Sequence, residues 1–406
     1  MIKFPEGFLW GAATSAYQVE GDNSNSDWWE WEIVTGQKDR SGKACCHYEL
    51  FEQDFDIVKG LHHNAHRLSI EWARIQPQEH TFSDLELAHY LQVILALKER
   101  NIEPVVTLHH FTNPIWFSRL GGWENKASAG YFLRYCNKVV EALGKHVQFW
   151  VTINEPMVLI SHGYIMGQWP PQKKSFLKAW VATGNMVNAH VEAYRFIHSY
   201  YKRNNLGRPR VSIAHNMMAF VASPENLKNN IASKLRQQWF NLAILDKLIR
   251  RKSLDYIGVN YYTRSVVDVG GWSLRNFSLD TSRKPEKPLP KNTMGWDIYP
   301  QGLYSLLTGI KKYNLPVFIL ENGICTLDDG QRWNYIRDHL TQLHRAINSG
   351  VNVLGYLYWS LLDNFEWDKG FGPRFGIVEM DYANFKRTVR ESAKKYSEVC
   401  RTGTLI

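Results

Sequence analysis

Eight short apolar runs, spaced so that helical patterns fit between them, constrain this chain more than any other feature of its sequence. The runs lie near 9–13, 65–71, 104–109, 149–155, 211–215, 256–262, 317–321 and 353–360, and helical patterns occupy 85–100, 129–143, 179–201, 304–313, 333–349 and 386–399. Strands separated by helices are joined by crossovers and therefore run parallel. Eight such units predict an α/β fold, a single (β/α)8 barrel. The 406 residues exceed the usual size of one core, but barrels of this kind reach such lengths as one domain. No linker divides them, so one domain over 1–406 is expected.

In a parallel barrel the working residues stand at the C-terminal ends of the strands. The sequence gathers Arg67, His110, Asn154, Glu155, Tyr262, Glu321 and Trp359 there, and none of them entered the choice of fold. Two of these ends are glutamates that close apolar runs, in FWVTINEP (149–156) and VFILENG (317–323). A strand that delivers a carboxylate over a core places it where desolvation and neighbours move its pKa, and two such tips suggest paired acid/base and nucleophilic work. Either glutamate alone also fits the start of a polar turn after a core strand. Asn154 and Pro156 around one, and Asn322-Gly323 after the other, say more than that.

With those neighbours, Thr152-Ile153-Asn154-Glu155-Pro156 and Leu320-Glu321-Asn322-Gly323 resemble the acid/base and nucleophile signatures of glycoside hydrolase family 1, the retaining β-glycosidases. The opening FLWGAATSAYQVEG (8–21) and the closing WSLLDNFEW (359–367) are similar to the family's two ends, so the resemblance spans nearly the whole chain in order. It implies a β-glycosidase acting on a small-molecule glycoside, with Glu321 attacking the anomeric carbon and Glu155 protonating the leaving oxygen. Retention needs the two carboxyl groups about 5–5.5 Å apart, against about 6.5–9.5 Å for inversion. Arg67 and Tyr262 match positions that stabilise the nucleophile's anion; structural pairing of Arg67 with Glu71 is the alternative. Gln18 and Glu366 match positions at the outer hydroxyls, with His110 and Trp367 nearby, Asn154 at the 2-hydroxyl, Trp359 as the stacking floor and Phe375 in the same substrate-binding set. The family's usual Trp after the histidine is Phe111 here, which removes an indole donor from the 3-hydroxyl contact. A carboxylate at Glu366 repels a 6-phosphate, so neutral hexosides, β-glucosides first, are expected; Arg374 supplies one cation nearby.

Aromatic residues make up 14% of the chain, 16 of them Trp, which suits stacking on sugar C–H faces as well as packing. The formal net charge of +9 is spread in short groups among acids and carries no recognition motif, so no nucleic-acid partner is expected. No apolar run is long enough to span a bilayer and no basic stretch leads into an apolar segment at the start, so neither membrane nor signal peptide is expected. Five cysteines without framework spacing fit a reducing compartment, the cytoplasm. His62, His63 and His66 lack the acid or cysteine spacing of a metal site, and the chemistry requires no metal or other cofactor. Nothing in the sequence specifies an oligomeric state.

The clearest departure from the family pattern lies after the fifth strand. The chain is short by some tens of residues between about 216 and 256, which should open the wall around the leaving group and admit bulky or flat aglycones. The segment 264–295, rich in Gly, Ser, Pro and Lys, is too long for a plain turn and should form a partly mobile rim. The shortened wall also keeps a second reading in play, a catalytically weak or silent barrel that binds a sugar or hydrophobic ligand. Retention of both acids argues against it.

Overall fold

The computed structural model describes residues 1–269 and 288–406. Eight parallel strands close into a barrel: β1 (Leu9–Ala13), β2 (Ala65–Ser69), β3 (Glu103–Thr107), β4 (Phe149–Asn154), β5 (Arg210–Asn216), β6 (Ile257–Asn260), β7 (Val317–Asn322) and β8 (Val353–Trp359). Neighbours in sequence are neighbours in the ring, and β8 returns to pair with β1. The strands are followed in turn by the helices α1 (His47–Gly60), α2 (Asp84–Glu99), α3 (Ser128–Leu143), α4 (Phe176–Arg203), α5 (Ala243–Arg250), α6 (Pro300–Ile310), α7 (Asp329–Asn348) and α8 (Glu391–Thr402).

Alternation along each strand divides the core into two layers. Phe149 and Val151 of β4, and Phe318 and Leu320 of β7, join Ala65, Val105, Tyr256 and Leu357 in a cluster inside the barrel. Their neighbours Trp150, Val317 and Ile319 belong to the layer between strands and helices. Burying each such large side chain contributes about 1.5–3 kcal/mol, so the barrel cannot slip by one residue without reversing both layers.

The alternation breaks at two tips. The β4–β5 register shifts between Val151 and Asn154, and the β7 pairings shift between Ile319 and Glu321 on one side and between Ile319 and Asn322 on the other. An extra residue at a strand end re-aims the side chains that follow it. These shifts immediately precede Glu155 and Glu321. Glu155 adopts the left-handed conformation, at φ 43°. Gly323 lets the second tip pass close to β8, since a Cβ there would sit 1.8 Å from the Trp359 carbonyl oxygen.

One predicted helix needs correction. Residues 386–399 are not helical throughout: Lys386–Val389 is a strand paired antiparallel with Val378–Asp381, and α8 begins only at Glu391. Phe385, with φ 58°, turns the hairpin, and Arg387 on the second strand reaches the buried Asp54 at 2.8 Å.

The stretch 216–256 holds a strand (Ala219–Ala222), a helix (Leu227–Arg236), a π-helical turn (Gln237–Leu242) and α5. Ala219–Ala222 pairs in parallel with Arg264–Val267, above the barrel mouth. The mobile rim expected over 264–295 falls largely on 270–287, outside the described residues. No described helix is long and apolar enough to cross a membrane.

Candidate active site

The strand ends open into a cleft of about 660 Å³ lined by Gln18, His110, Phe111, Asn154, Glu155, Tyr262, Glu321, Trp359, Glu366, Trp367 and Phe375. Arg67 lies beneath them, fully buried, so all twelve residues singled out from the sequence come together.

The two glutamates have different surroundings. The Arg67 guanidinium pairs with Glu321 Oε1 through Nη1, donates from Nη2 to Asn154 Oδ1 at 2.7 Å, and is anchored from Nε to Thr107 Oγ1 at 2.9 Å. The Tyr262 hydroxyl donates to the other Glu321 oxygen at 2.5 Å. Glu71, the alternative partner for Arg67, instead accepts from Thr112 at 2.9 Å. Among the described residues, Glu155 receives only amides: Asn260 Nδ2 at 2.7 Å and Asn216 Nδ2 at 3.1 Å.

Burial pushes both carboxyl groups above the usual carboxylate range. Glu321 is drawn back by Arg67 and by its hydrogen bonds. Glu155 is raised further by the negative charge of Glu321 and reaches about 8. An ion pair favours the charged form of one acid while its like-charged neighbour keeps a proton. Burial, with the charges of Glu321 and Glu155 added, pushes the Tyr262 phenol well above its ordinary value, so its hydroxyl stays a donor.

Around the acids, Asn154 Nδ2 donates to His110 Nε2 at 3.2 Å, which assigns the ring proton to Nδ1. Burial, and then Arg67, hold His110 neutral. Its ring lies parallel to those of Trp359 and Trp367, each 5.9 Å away. Gln18 Nε2 donates to Glu366 Oε2 at 3.1 Å and to Asn364 at 3.0 Å. Glu366 is half-buried and raised to about 8, by burial and then by the charges of Glu321 and Glu155. Phe111 packs between Trp169 and Trp367 with a positive φ of 71°. Arg374 does not face the cleft: it binds Asp363 at 3.4 Å and the Met380 carbonyl at 3.0 Å. His66 is hydrogen-bonded to Thr14 and His62 to Ser397, as packing residues are.

Sequence reasoning missed Asn216, Asn260 and Thr107. All three end barrel strands, the position already used to find the others, and Asn260 directly precedes Tyr261-Tyr262.

A parallel barrel that buries one ion-paired and one amide-bound carboxyl group at its mouth, beside tryptophan faces and a hydrogen-bonded Gln/Glu pair, has the layout of a glycoside hydrolase. A model of the family described as "Glycosyl hydrolase family 1" matches residues 1–251 and 224–404, and the chain belongs to that family. Among its relatives, beta-glucosidase A of Thermotoga maritima is 33% identical over 453 residues, with 99% of each chain covered. The solved beta-glycosidase from Pyrococcus horikoshii superposes with a TM-score of 0.93 at 39% identity, over 100% of this chain and 96% of that one. The beta-glucosidase from Thermotoga maritima in complex with glucoimidazole superposes at 0.92 and 32% identity, over 99% of this chain and 100% of that one.

Proposed function

We propose that this enzyme hydrolyses terminal, non-phosphorylated β-D-hexosides, β-glucosides foremost, by double displacement with retention. Glu321 attacks the anomeric carbon as Glu155 gives its proton to the leaving oxygen, and the glycosyl ester on Glu321 is then hydrolysed by water that Glu155 deprotonates. Ester formation removes the Glu321 charge, so the pKa of Glu155 falls and the former acid can act as base.

The observation that carries this reading is the asymmetry of the pair: Arg67 and Tyr262 on Glu321, the amides of Asn260 and Asn216 on Glu155. The Gln18–Glu366 contact supports recognition of hydroxyls over a phosphate, because an amide and a carboxyl group offer hydroxyls both donors and acceptors and bring no positive charge to a phosphate. Five free cysteines support a reducing compartment, the cytoplasm. The alignment with the Thermotoga relative runs over 453 residues against 406 here, which supports a shortened single domain.

The test is NMR of the first-formed sugar from an aryl β-glucoside, together with Glu155→Gln. The β-anomer should appear first, and the variant should still be glycosylated by a 2,4-dinitrophenyl glucoside in a burst, then stall. An initial α-anomer, or steady turnover without a burst, would overturn the assignment.

A further inference from the structure

The cleft has two ends of different chemistry. Around the paired acids it is polar and buried. Toward solvent one wall is apolar, formed by Ile165 and Met166 after β4, Met218 and Phe220 after β5, and Trp239 and Phe240 just before α5. Trp239 is 41% exposed and Met166 37%, high for large apolar side chains that line a cleft. Phe240 is nearly buried and packs edge-on against Phe220, with ring centroids 6.1 Å apart, so this wall has a fixed base.

Two π-helical turns build it. Ile160–Met166 carries Ile165 and Met166, and Gln237–Leu242 carries Trp239 and Phe240. A π turn widens the helix by one residue at the expense of hydrogen-bond geometry and recurs at functional sites. Two of them follow adjacent barrel strands and present apolar side chains to the same cleft.

The charged groups of this stretch are largely matched within the protein. Arg264 Nε donates to Asp297 at 2.7 Å and Lys369 pairs with Asp368 at 2.6 Å. His162 is hydrogen-bonded to Gln168 and stacked on Trp169 at 4.3 Å. A second sugar would need directional partners for each hydroxyl it buries. Sulfur, aliphatic and indole faces serve an apolar group instead, and methionine adapts to its shape.

We infer that the leaving group this cleft is built for is an extended apolar one, an alkyl chain or fused aryl group lying on Ile165, Met166, Phe220 and Trp239, and not a second sugar. The inference rests on the β-glycosidase reading above and deepens it by naming the aglycone class. Each buried methylene raises kcat/KM by up to about fourfold.

The experiment measures kcat/KM for methyl, butyl, hexyl and octyl β-glucosides, below micelle formation, and for cellobiose. A steady rise with chain length is expected, with octyl glucoside well above cellobiose. Trp239→Ala and Met166→Ala should each lower the octyl-to-methyl ratio; both side chains are substantially exposed, so their truncation spares the core. A flat alkyl series, or cellobiose preferred over octyl glucoside, would overturn the inference while leaving the β-glycosidase reading intact. If no β-glucoside is turned over, that reading falls by itself, and calorimetric binding of octyl β-thioglucoside against its methyl counterpart decides the inference: tighter octyl binding that weakens in Trp239→Ala supports it, and equal binding overturns it.

Discussion

Replacing Tyr262 by Phe isolates one hydrogen bond of the proposed nucleophile. The ring keeps its neighbours, Trp296 at 5.9 Å and Phe375 at 6.2 Å between centroids, and only the hydroxyl that donates to Glu321 at 2.5 Å is lost. A hydrogen bond to a charged group contributes about 1.5–3 kcal/mol. Because it stabilises the anion far more than the neutral acid, its loss favours protonation of Glu321. At about 1.4 kcal/mol per pH unit, the acidic limb of kcat/KM should move up by about one to two pH units.

The sign distinguishes this from general damage. Arg67 remains, so Glu321 still ionises first and Glu155 still holds its proton to higher pH. Activity should therefore fall most on the acidic side, by about 10–100-fold two units below the optimum, and least near the alkaline limb. The assay is a pH profile of kcat/KM with an aryl β-glucoside, supported by a melting curve to establish that the variant folds. An acidic limb that stays in place while the whole profile drops would refute the reasoning, because Tyr262 would then not be tuning the Glu321 anion.

Two other perturbations give outcomes of defined direction. Asn260→Ala removes the 2.7 Å donor to Glu155; that bond also favours the anion, so the alkaline limb, set by a group near pKa 8, should move further up, and a downward move would contradict the assignment. Arg387→Met strips the bidentate partner, at 2.8 and 3.0 Å, from the fully buried Asp54, leaving only His47 at 2.7 Å; guanidinium unfolding at pH 7 should show a loss of about 3–5 kcal/mol. Burial pushes Asp54 up, but His47 and Arg387 outweigh it and hold its pKa below the usual range. The pair's stabilisation is therefore complete above the unfolded-state pKa, about 3.9, and fades as pH falls through the folded one below it, so the variant's deficit should shrink only below about pH 4; an equal deficit at pH 7 and about pH 2 would place the effect in packing alone.

The barrel was legible because its strands are short, largely buried and separated by helical spacing, so each announced itself locally. The error at 386–399 arose where that local signal was ambiguous: Lys386–Val389 reads as well onto a helix as onto a strand, and only Val378–Asp381 alongside it decides. Site residues at strand tips were legible on the same logic, yet Asn216 and Asn260 went unnoticed because an asparagine after a strand carries no signature of the carboxyl group it will face. The two π turns were out of reach altogether, since an i→i+5 turn has no composition of its own. The asymmetry of the acids was hidden for a geometric reason. Arg67 lies four residues before Glu71 and two hundred fifty-four before Glu321, and proximity along the chain argues for the nearer acid. Arg67 leaves β2 on the same face as Ala65, toward the barrel interior, while Glu71 lies beyond the strand and caps a short helix by accepting from the Ala73 amide. The register shift in β7 then turns Glu321 to the guanidinium. Which carboxyl group becomes the anion is decided by a break in strand pairing, and a break in pairing is a property of two strands that neither sequence states alone.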